Sequence, residues 1–521
     1  MTCNRILALA VLLLASASSL TAQNTDLVEG VRLIREGHFD QALAKLEEAH
    51  RLAPRDASIE NLLGITETQL NHPDKAAIHY RNAIRLDPSQ ASPHRNFGFN
   101  LLTAKQYGPA ESELQEASRL DPNDPFAHYY LFLLALATNH DADAFEQASL
   151  SGNLISNDPD AEAGLIEAEI RLGRVDEASI RIKNMEEANK LTPVREYAIA
   201  VLLSRHAFYG QAVGCFQRIA LLDPSWENRY NLALALLYDG QFAEASKLLS
   251  TLHNERPSNA DALTFLGSAL EMQEKMPEAL EAYRAAAVAD PSNPDRTLDY
   301  TRLLMDMDRY DEAIQFIQSG TTETASSSPV KLRLGAVEMI KGDYAAARDA
   351  FNAALADNPE LDAGYVGLAQ TYARQGNDTT AIDILEAARS KRPGRYLLDY
   401  YFGLLASRSG RQDEAIIALE RAAQLEPRSP DPSFELGKIY ASKQDWPDAR
   451  KAFEHVVQLN PQFTPAHYQL SQVYAHLGLH EESQREAQQT KNLVNAQREE
   501  VLRKQRERAG SFQPQIAATP P

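Results

Sequence analysis

The sequence predicts an all-α protein, a solenoid of about fourteen stacked helical hairpins. The first observation is an alanine that returns every 34 residues, with a single step of 33. A fixed period of this length is typical of stacked repeats and not of one globular core. Ser483 takes the fourteenth place in the series. The thirteen alanines are Ala42, Ala76, Ala110, Ala144, Ala178, Ala212, Ala245, Ala279, Ala313, Ala347, Ala381, Ala415 and Ala449.

The second observation is that other residue types keep the same period. Ten of the fourteen repeats have a proline twelve residues after the alanine position. Many have a small residue twelve residues before it, and this residue is glycine at Gly30, Gly64, Gly98, Gly267, Gly335, Gly403 and Gly437. A large apolar residue follows the alanine by four, as at Leu46, Tyr80, Leu114, Phe216, Tyr283, Phe351, Leu385, Leu419 and Phe453.

Residues 260–293 show how one repeat is expected to fold. Two apolar faces have the i, i+3, i+4, i+7 spacing of helices. Their residues are Leu263, Leu266, Gly267 and Leu270, and then Ala279, Leu280, Tyr283 and Ala286. Pro277 suits the first turn of the second helix, and Pro291 ends it, because the residue before a proline avoids the α conformation. Each repeat is therefore a hairpin whose apolar stripe only its neighbours can cover.

These positions resemble the tetratricopeptide repeat (TPR) family. Its pattern is matched well by Leu436, Gly437, Tyr440, Ala449, Phe453 and Pro461, and equally by Leu266, Gly267, Ala279, Tyr283, Ala286 and Pro291. The resemblance covers roughly residues 23–495. It implies a right-handed superhelical solenoid whose inner groove is lined mainly by the first helix of each hairpin. It also implies binding of proteins or peptides.

The amino terminus has the pattern of a secretory signal peptide. Arg5 precedes an apolar run at residues 6–14, and small residues follow as far as Ala22. We predict cleavage after Ala22, with Ser19 as the second choice. The alternative is an uncleaved membrane anchor, although the run is short for a bilayer span. The sequence shows no other transmembrane candidate, so we expect no membrane segment in the mature chain.

The repeats are uneven along the chain. The pattern is degenerate near residues 125–192, and a small, polar stretch at 319–329 replaces a helix end, so we expect a frayed helix or a hinge there. The predicted domains are a signal peptide at 1–22, an array of about nine repeats at 23–327, an array of about five at 328–495, the end of a capping helix at 496–508, and a disordered tail at 509–521.

Composition excludes several functions. The formal net charge is −20 at pH 7, and no basic stripe is present to neutralise phosphates, so we predict no nucleic-acid binding. Cys215 is the one cysteine outside the signal peptide, and its spacing favours a core residue over a nucleophile. His476 and His480 have a metal-ligand spacing, but Gly478 between them argues against a site. We predict no metal and no cofactor.

Acidic pairs recur just before the alanine, as at Asp176–Glu177, Asp311–Glu312 and Asp413–Glu414. They suit a helix amino terminus through its dipole, and we favour that interpretation over a catalytic pair. Asn61, Arg95 and Asn96 are similar to part of the family's clamp for carboxylate-ended peptides. Phe99 stands where that clamp needs asparagine, so the clamp is not carried over.

A ligand would meet the groove positions of the first helices. Each repeat is numbered so that its alanine is position 20, and positions 2, 5, 9, 12 and 13 then lie opposite the packing positions 4, 7, 8 and 11. Aromatic rings at position 5 and arginines at position 13 suit an extended peptide, because rings cover apolar side chains and guanidinium groups bind carboxylates. We predict a main peptide groove at Arg374, Tyr400, Arg408, Phe434, Lys438, Tyr468 and Gln472. We predict a secondary groove at Arg171, Tyr197, Arg205 and Tyr230.

Position 5 has a second interpretation, in which the rings only pad a narrow groove. The function predicted from the sequence is an exported, non-enzymatic scaffold, periplasmic or extracellular, that binds proteins or peptides. One alternative is an accessory of envelope polymer export or outer-membrane assembly. A third is an enzyme whose site the sequence does not reveal.

Overall fold

The chain folds into consecutive antiparallel helical hairpins. A computed structural model describes residues 25–320 and 327–510, with side chains as far as residue 499. Over these ranges the regular structure is helical, without strands. The chain divides into two compact units, and the boundary in the sequence lies between Glu255 and Arg256. A hairpin is numbered here by the alanine of its second helix, from hairpin 1 with Ala42 to hairpin 13 with Ala449, and hairpin 14 contains Ser483.

The first unit contains hairpins 1 to 7 and one additional short helix, α9. Its helices are α1 (Thr25–Glu36), α2 (Phe39–Leu52), α3 (Ala57–Gln69), α4 (Pro73–Leu86), α5 (Ala91–Thr103), α6 (Tyr107–Leu120), α7 (Pro125–Ala137), α8 (Asp141–Leu150), α9 (Leu154–Asn157), α10 (Pro159–Arg171), α11 (Val175–Glu187), α12 (Pro193–Arg205), α13 (Tyr209–Leu222), α14 (Trp226–Tyr238) and α15 (Phe242–Glu255).

The second unit contains hairpins 8 to 14. Its helices are α16 (Ala260–Glu271), α17 (Met276–Ala289), α18 (Pro294–Asp306), α19 (Tyr310–Ser319), α20 (Ser328–Lys341), α21 (Tyr344–Asp357), α22 (Asp362–Arg374), α23 (Asp378–Lys391), α24 (Tyr396–Arg408), α25 (Gln412–Leu425), α26 (Asp431–Ser442), α27 (Trp446–Leu459), α28 (Thr464–His476) and α29 (His480–Gly510). The fourteen predicted hairpins are thus confirmed.

The periodic alanines lie at the closest packing points of the fold. All thirteen are on second helices, and all have 0% exposure. Ser483 takes the same place in hairpin 14, and its hydroxyl donates to the backbone oxygen of Ser471 at 2.8 Å. A larger side chain at these positions would force the two helices of a hairpin apart, because protein cores have no free volume of that size.

The periodic glycines make room for the large residue of the second helix. A Cβ atom added to Gly437 would lie 2.6 Å from the ring of Phe453, and one added to Gly64 would lie 2.5 Å from the ring of Tyr80. Tyr80 and Phe453 are themselves fully buried. In the hairpins that have this glycine, the glycine and the large residue of the second helix are therefore two halves of one packing contact.

The turn inside every hairpin contains one residue with a positive φ angle, five residues before the alanine position. Seven of these fourteen residues are glycine, for which this left-handed conformation carries no steric cost. The other seven are Asn71, Lys105, Asn139, Ala207, Glu274, Asp308 and Gln444. The turn geometry is thus constant although its sequence is not.

The degenerate repeats keep the hairpin but shorten it. In hairpin 4 the second helix ends at Leu150, and Gly152 with φ of 62° redirects the chain into the four-residue helix α9. Ser151 at this break is fully buried, and its hydroxyl donates to the Ala148 oxygen at 2.8 Å. Ala144 remains fully buried, so the periodic alanine keeps its packing position although the second helix is short.

Packing continues across the stretch at 319–329. Helix α19 ends at Ser319 and α20 begins at Ser328, while residues 321–326 are outside the described part. Ile314 on one side and Val337 on the other belong to one hydrophobic cluster, which also contains Leu304. The array boundary at 327/328 stays a prediction, and the helices on its two sides share one core.

The predicted signal peptide at 1–22 and nearly all of the predicted tail lie outside the described residues. The capping helix α29 is described as far as Gly510, beyond its predicted end at 508. Of the helices that are described, none combines the length and the apolar character needed to cross a membrane.

Candidate functional site

The first helices of neighbouring hairpins touch one another directly, as α22, α24, α26 and α28 do in sequence. Equivalent positions on these helices therefore form a continuous surface across several hairpins. We call it the first-helix surface, and all the predicted groove residues lie on its helices. The same arrangement joins α10 to α12 in the first unit.

Two of the three aromatic residues of the main groove pack into the protein. The Tyr400 ring is half-buried and stacks on Tyr396, with 5.7 Å between ring centroids and 3° between planes. Burial, followed by the nearby carboxylates of Asp431 and Glu435, raises the pKa of Tyr400. Phe434 is also half-buried and meets the core ring of Phe453 edge-on at 5.7 Å. Such packing is what we expect if the rings at position 5 only fill a narrow groove.

Tyr468 differs from the other two, because 53% of its surface is exposed. Among the described residues no ring contact joins Tyr400, Phe434 and Tyr468 to one another. The three equivalent rings thus do not form a stacked ladder. Gln472, one turn beyond Tyr468 on α28, is exposed as well, so this end of the predicted groove presents its side chains to solvent.

The cations of the main groove also separate into two kinds. Arg408 forms an ion pair with Asp378 of the preceding hairpin. Lys438 donates to Glu435 at 2.7 Å and lies 5.7 Å from the Phe434 ring centroid. Arg374 is exposed, and within the described part of the chain it has no ion-pair partner. Of these cations, Arg374 is the one whose guanidinium is available to a ligand.

The secondary groove also contains both side chains that are bound within the protein and side chains that are exposed. Arg171 binds both carboxylate oxygens of Asp141 at 2.8 Å, whereas Arg205 is exposed. Tyr197 is 41% exposed, and its hydroxyl accepts from the Asn231 amide of the next hairpin at 3.3 Å. Tyr230 stacks on Trp226 with 4.7 Å between ring centroids.

A repeated contact explains the paired arginines. The end of a first helix, at position 13, meets the start of the preceding second helix, at position 17. Five pairs of residues make this contact by an ion pair, a hydrogen bond or ring stacking, namely Arg171–Asp141, Tyr238–Tyr209, Arg408–Asp378, Ser442–Gln412 and His476–Trp446. Arg205 and Arg374 have no such acid, because position 17 before them is Val175 or Tyr344.

The clamp-like residues of hairpins 2 and 3 satisfy one another. Arg95 is buried and donates to the Asp124 carboxylate at 2.6 Å. The Asn96 amide donates to the Asn61 oxygen at 3.0 Å, and both are buried. These groups therefore stabilise the contact between neighbouring hairpins and do not form a clamp for a peptide carboxylate.

The other residues that were considered for catalysis or metal binding have structural roles. Cys215 is 2% exposed, and burial raises the pKa of its thiol to about 11, so little nucleophilic thiolate forms at neutral pH. His476 stacks flat on Trp446 at the end of α28, while His480 begins α29. The two histidines thus belong to different helices, and their sequence spacing does not give one helical face. The carboxylates of Glu312 and Glu414 bind arginines three residues away.

One groove position escaped the sequence prediction. At 100° per residue, position 6 lies about 40° from position 2 and about 20° beyond position 13, at the edge of the stripe that the other groove positions define. Asp299 of hairpin 9 and Arg333 of hairpin 10 occupy position 6 in consecutive hairpins, and both are half-buried. Helical geometry alone places them at this edge, but only the structure shows that neither has an ion-pair partner among the described residues.

Comparison with known proteins places these features in a family. A sequence profile described as "Tetratricopeptide repeat" matches residues 27–91, 230–294, 400–462 and 434–489. A second profile with the same description matches residues 270–333 and 338–401. The matched ranges together cover more than half of the chain and omit residues 92–229, which include the degenerate repeats.

Individual relatives are more distant. The chain is 30% identical over 135 residues to "BBSome complex member BBS4" of Mus musculus, which is 25% of this chain and 26% of that protein. The match to the same protein of Bos taurus is 35% identical over 97 residues, 18% of this chain and 19% of that protein. The chain thus spans about a quarter or less of the relatives it matches.

Among solved structures, the yeast Tom70 crystal structure is 16% identical, with 85% of this chain and 96% of that chain covered and a TM-score of 0.36. The crystal structure of MamA is 23% identical, with 32% and 97% covered and a TM-score of 0.30. The profile matches agree with the fourteen hairpins and with the fully buried periodic alanines. The chain belongs to the tetratricopeptide repeat family.

Proposed function

We propose that this protein is an exported, non-enzymatic scaffold that holds a protein or peptide on the first-helix surface of hairpins 11 to 14. The observation that carries the proposal is a group of side chains on that surface with no internal role. Tyr468 and Gln472 are exposed, and Arg374 has no ion-pair partner among the described residues. Leu397, at position 2 of hairpin 12, adds an exposed apolar side chain.

Their chemistry favours a polypeptide ligand. Exposed tyrosine and arginine are the residues that contribute most binding energy at protein interfaces. An arginine binds a carboxylate through two parallel hydrogen bonds, and the leucine and tyrosine surfaces can cover an apolar side chain. A partner with an acidic residue near an apolar one fits this surface best.

Export rests on the amino-terminal pattern of Arg5, the apolar run and Ala22. We propose that the mature chain begins at Gln23 and works outside the cytoplasm. Mass spectrometry of the protein isolated from its native cells tests this directly. A mature protein that begins at Gln23 supports the proposal, and a mature protein that retains Met1 contradicts it.

The binding function can be tested with defined peptides. The mature chain is immobilised and a phage-displayed library of random peptides, each of about twelve residues, is selected on it. Selected peptides are synthesised, and their Kd values are measured by calorimetry. The double variant Arg374→Ala with Tyr468→Ala should bind them at least about thirtyfold more weakly, because two anchors of about 1 kcal/mol or more each are lost.

Ile417→Ala is the matched control, because Ile417 is 58% exposed but lies on the second helix α25. This variant should keep the wild-type Kd. Failure to select any peptide would contradict the scaffold function. Unchanged binding by a folded double variant would leave the function standing and move the site elsewhere.

A further inference from the structure

We infer that a cavity between helices α4 and α5 binds a small, free carboxylate molecule that has an apolar part. The cavity has a volume of about 290 Å³, close to the lower end of the range of about 300–1,000 Å³ that is typical of ligand sites. Its walls come from the second helix of hairpin 2 and from the end of the first helix of hairpin 3 with the turn that follows. None of its lining residues occupies a groove position, so the site is independent of the proposed peptide surface.

The cavity lies at a junction of hairpins that lacks a contact found at other junctions. Position 13 is Thr103 here, and position 17 of the preceding hairpin is Pro73, which lines the cavity. The Thr103 hydroxyl donates to the backbone oxygen of Asn100 at 2.8 Å, within its own helix. A proline ring carries neither a donor nor an acceptor. The space that an ion pair such as Arg408 with Asp378 would bridge elsewhere is therefore open beside Pro73.

Asn100 is the polar side chain that indicates a ligand in this cavity. It is only 2% exposed and lines the cavity, yet its Nδ2 has no hydrogen-bond partner among the described residues. A buried amide without a partner destabilises the folded state. Turning the amide by 180° exchanges its nitrogen and its oxygen, so the group can direct an N–H donor into the cavity. An acceptor on a ligand would satisfy that donor.

The equivalent position in other hairpins shows that packing does not require an amide. Position 10 is apolar in ten hairpins, as at Leu134 and Leu303. Hairpins 2 and 11 have threonine there, and the hydroxyls of Thr66 and Thr371 each donate at 2.8 Å to the backbone oxygen four residues earlier. Asn100 has neither the apolar packing nor the internal hydrogen bond of its equivalents, which favours a role towards a ligand.

Arg81 determines the charge of that ligand. It lines the cavity, is exposed and has no ion-pair partner within residues 25–320 and 327–499. Its guanidinium carbon lies 5.2 Å from the centroid of the Phe97 ring, and this contact holds the group beside α5. A guanidinium and an amide N–H both donate hydrogen bonds, and a carboxylate has enough acceptor sites for both.

The remaining walls explain the apolar part of the ligand. Leu101 is buried, and Ile78 opposite it is 56% exposed, so an alkyl chain in the cavity would cover apolar surface that now faces water. Asp74 is the acid of the cavity, and it lies seven residues before Arg81 on α4. That is about 10.5 Å along a helix axis, more than the Debye length of about 8 Å at physiological ionic strength, so its repulsion of the ligand is screened.

Calorimetry with three six-carbon probes tests the site. Hexanoate should bind the protein with a Kd of about 1 mM or tighter, hexanamide should bind about tenfold more weakly or worse, and hexylamine should bind least. Arg81→Gln should weaken hexanoate binding by about tenfold and remove the preference over hexanamide. Asn100→Leu should weaken the binding of both probes. Arg85→Gln is the matched control and should keep the wild-type Kd, because Arg85 is exposed on the same helix, donates to Asn82 and does not line the cavity.

Four results would overturn the inference. They are no binding of hexanoate, equal binding of hexanoate by wild type and both cavity variants, tighter binding of hexanamide or hexylamine than of hexanoate, and tighter binding of a blocked tripeptide with a central glutamate. The last would assign the carboxylate to a partner protein. Peptides selected on the first-helix surface should bind both cavity variants as they bind wild type, so failure here leaves the scaffold function standing.

Asn100→Leu also supplies a test that needs no ligand. It should raise the unfolding temperature, because an unsatisfied buried amide is replaced by the residue type that other hairpins have at position 10. A lower unfolding temperature would show that Asn100 is a structural residue and would overturn the inference.

Discussion

Arg408 and Asp378 lie 30 residues apart and join the end of one first helix to the start of the preceding second helix. Arg171 and Asp141 make the same connection in the first unit, again 30 residues apart. The two arginines had the sequence signature of ligand-binding residues, and their carboxylate partners are within the chain. The contact therefore decides which arginines of the first-helix surface remain available to a partner.

Arg408→Ala should have a small effect on stability and none on peptide binding. Its side chain is 52% exposed and that of Asp378 is 33% exposed, so the ion pair is expected to contribute about 0.5 kcal/mol or less. Urea unfolding followed by circular dichroism measures the first effect, and calorimetry with a selected peptide measures the second. Asp378→Ala is the matched variant and should give the same small loss. A large loss of binding on Arg408→Ala alone would restore Arg408 to the site.

Ala207→Gly should stabilise the protein. Ala207 has φ of 62°, and a non-glycine residue in this conformation costs about 1 kcal/mol. The reverse change, Gly376→Ala, should destabilise by a similar amount, because Gly376 has φ of 78° and an added Cβ would meet no atom within 4 Å. Opposite shifts of the urea midpoint are the expected result. A destabilising Ala207→Gly would show that chain entropy outweighs the strain at this turn.

His94 should make stability depend on pH. Its Nδ1 lies 2.7 Å from the Glu113 carboxylate, and this contact raises the pKa of His94 above its ordinary 6.5, with Glu116 adding to the shift. A group whose folded pKa is raised stabilises the protein fully below its unfolded pKa and loses that contribution as pH rises through the folded pKa.

The difference in unfolding midpoint between wild type and His94→Gln should therefore shrink as pH rises from about 5.5 to about 8.5. Taking the difference removes the contributions of the groups that the substitution leaves in place. A difference that stays constant or grows over this range would be inconsistent with the raised pKa.

The variants Phe434→Ala and Tyr468→Ala should differ in stability, because Phe434 packs against other rings and Tyr468 is exposed. Phe434 meets the rings of Phe453 and Phe463 at 5.7 and 5.1 Å, so its loss should cost about 1–3 kcal/mol of stability. Tyr468 is 53% exposed, and its loss should cost about 0.5 kcal/mol or less. Equal costs in urea unfolding would contradict the division of position 5 into padding and binding residues.

The sequence alone determined the hairpin architecture, because a period of 34 with alanine, glycine and proline at constant offsets is typical of stacked helical hairpins. Ala347 and Gly335 could be assigned to a helix seam from their spacing, and Phe351 fills that seam as expected. Cys215 could likewise be assigned to the core. All of these depend on contacts within one repeat or between repeats in fixed register, which sequence spacing encodes.

The tertiary structure decided which groove residues are free. Whether Arg374 or Arg408 has a partner depends on position 17 of the preceding hairpin, where Tyr344 or Asp378 stands. Whether a ring at position 5 packs inside the protein or is exposed to solvent depends on which other rings lie close to it. Such contacts join residues of different helices, so the packing of the helices had to show which positions meet; the residue types at those positions then decide the outcome.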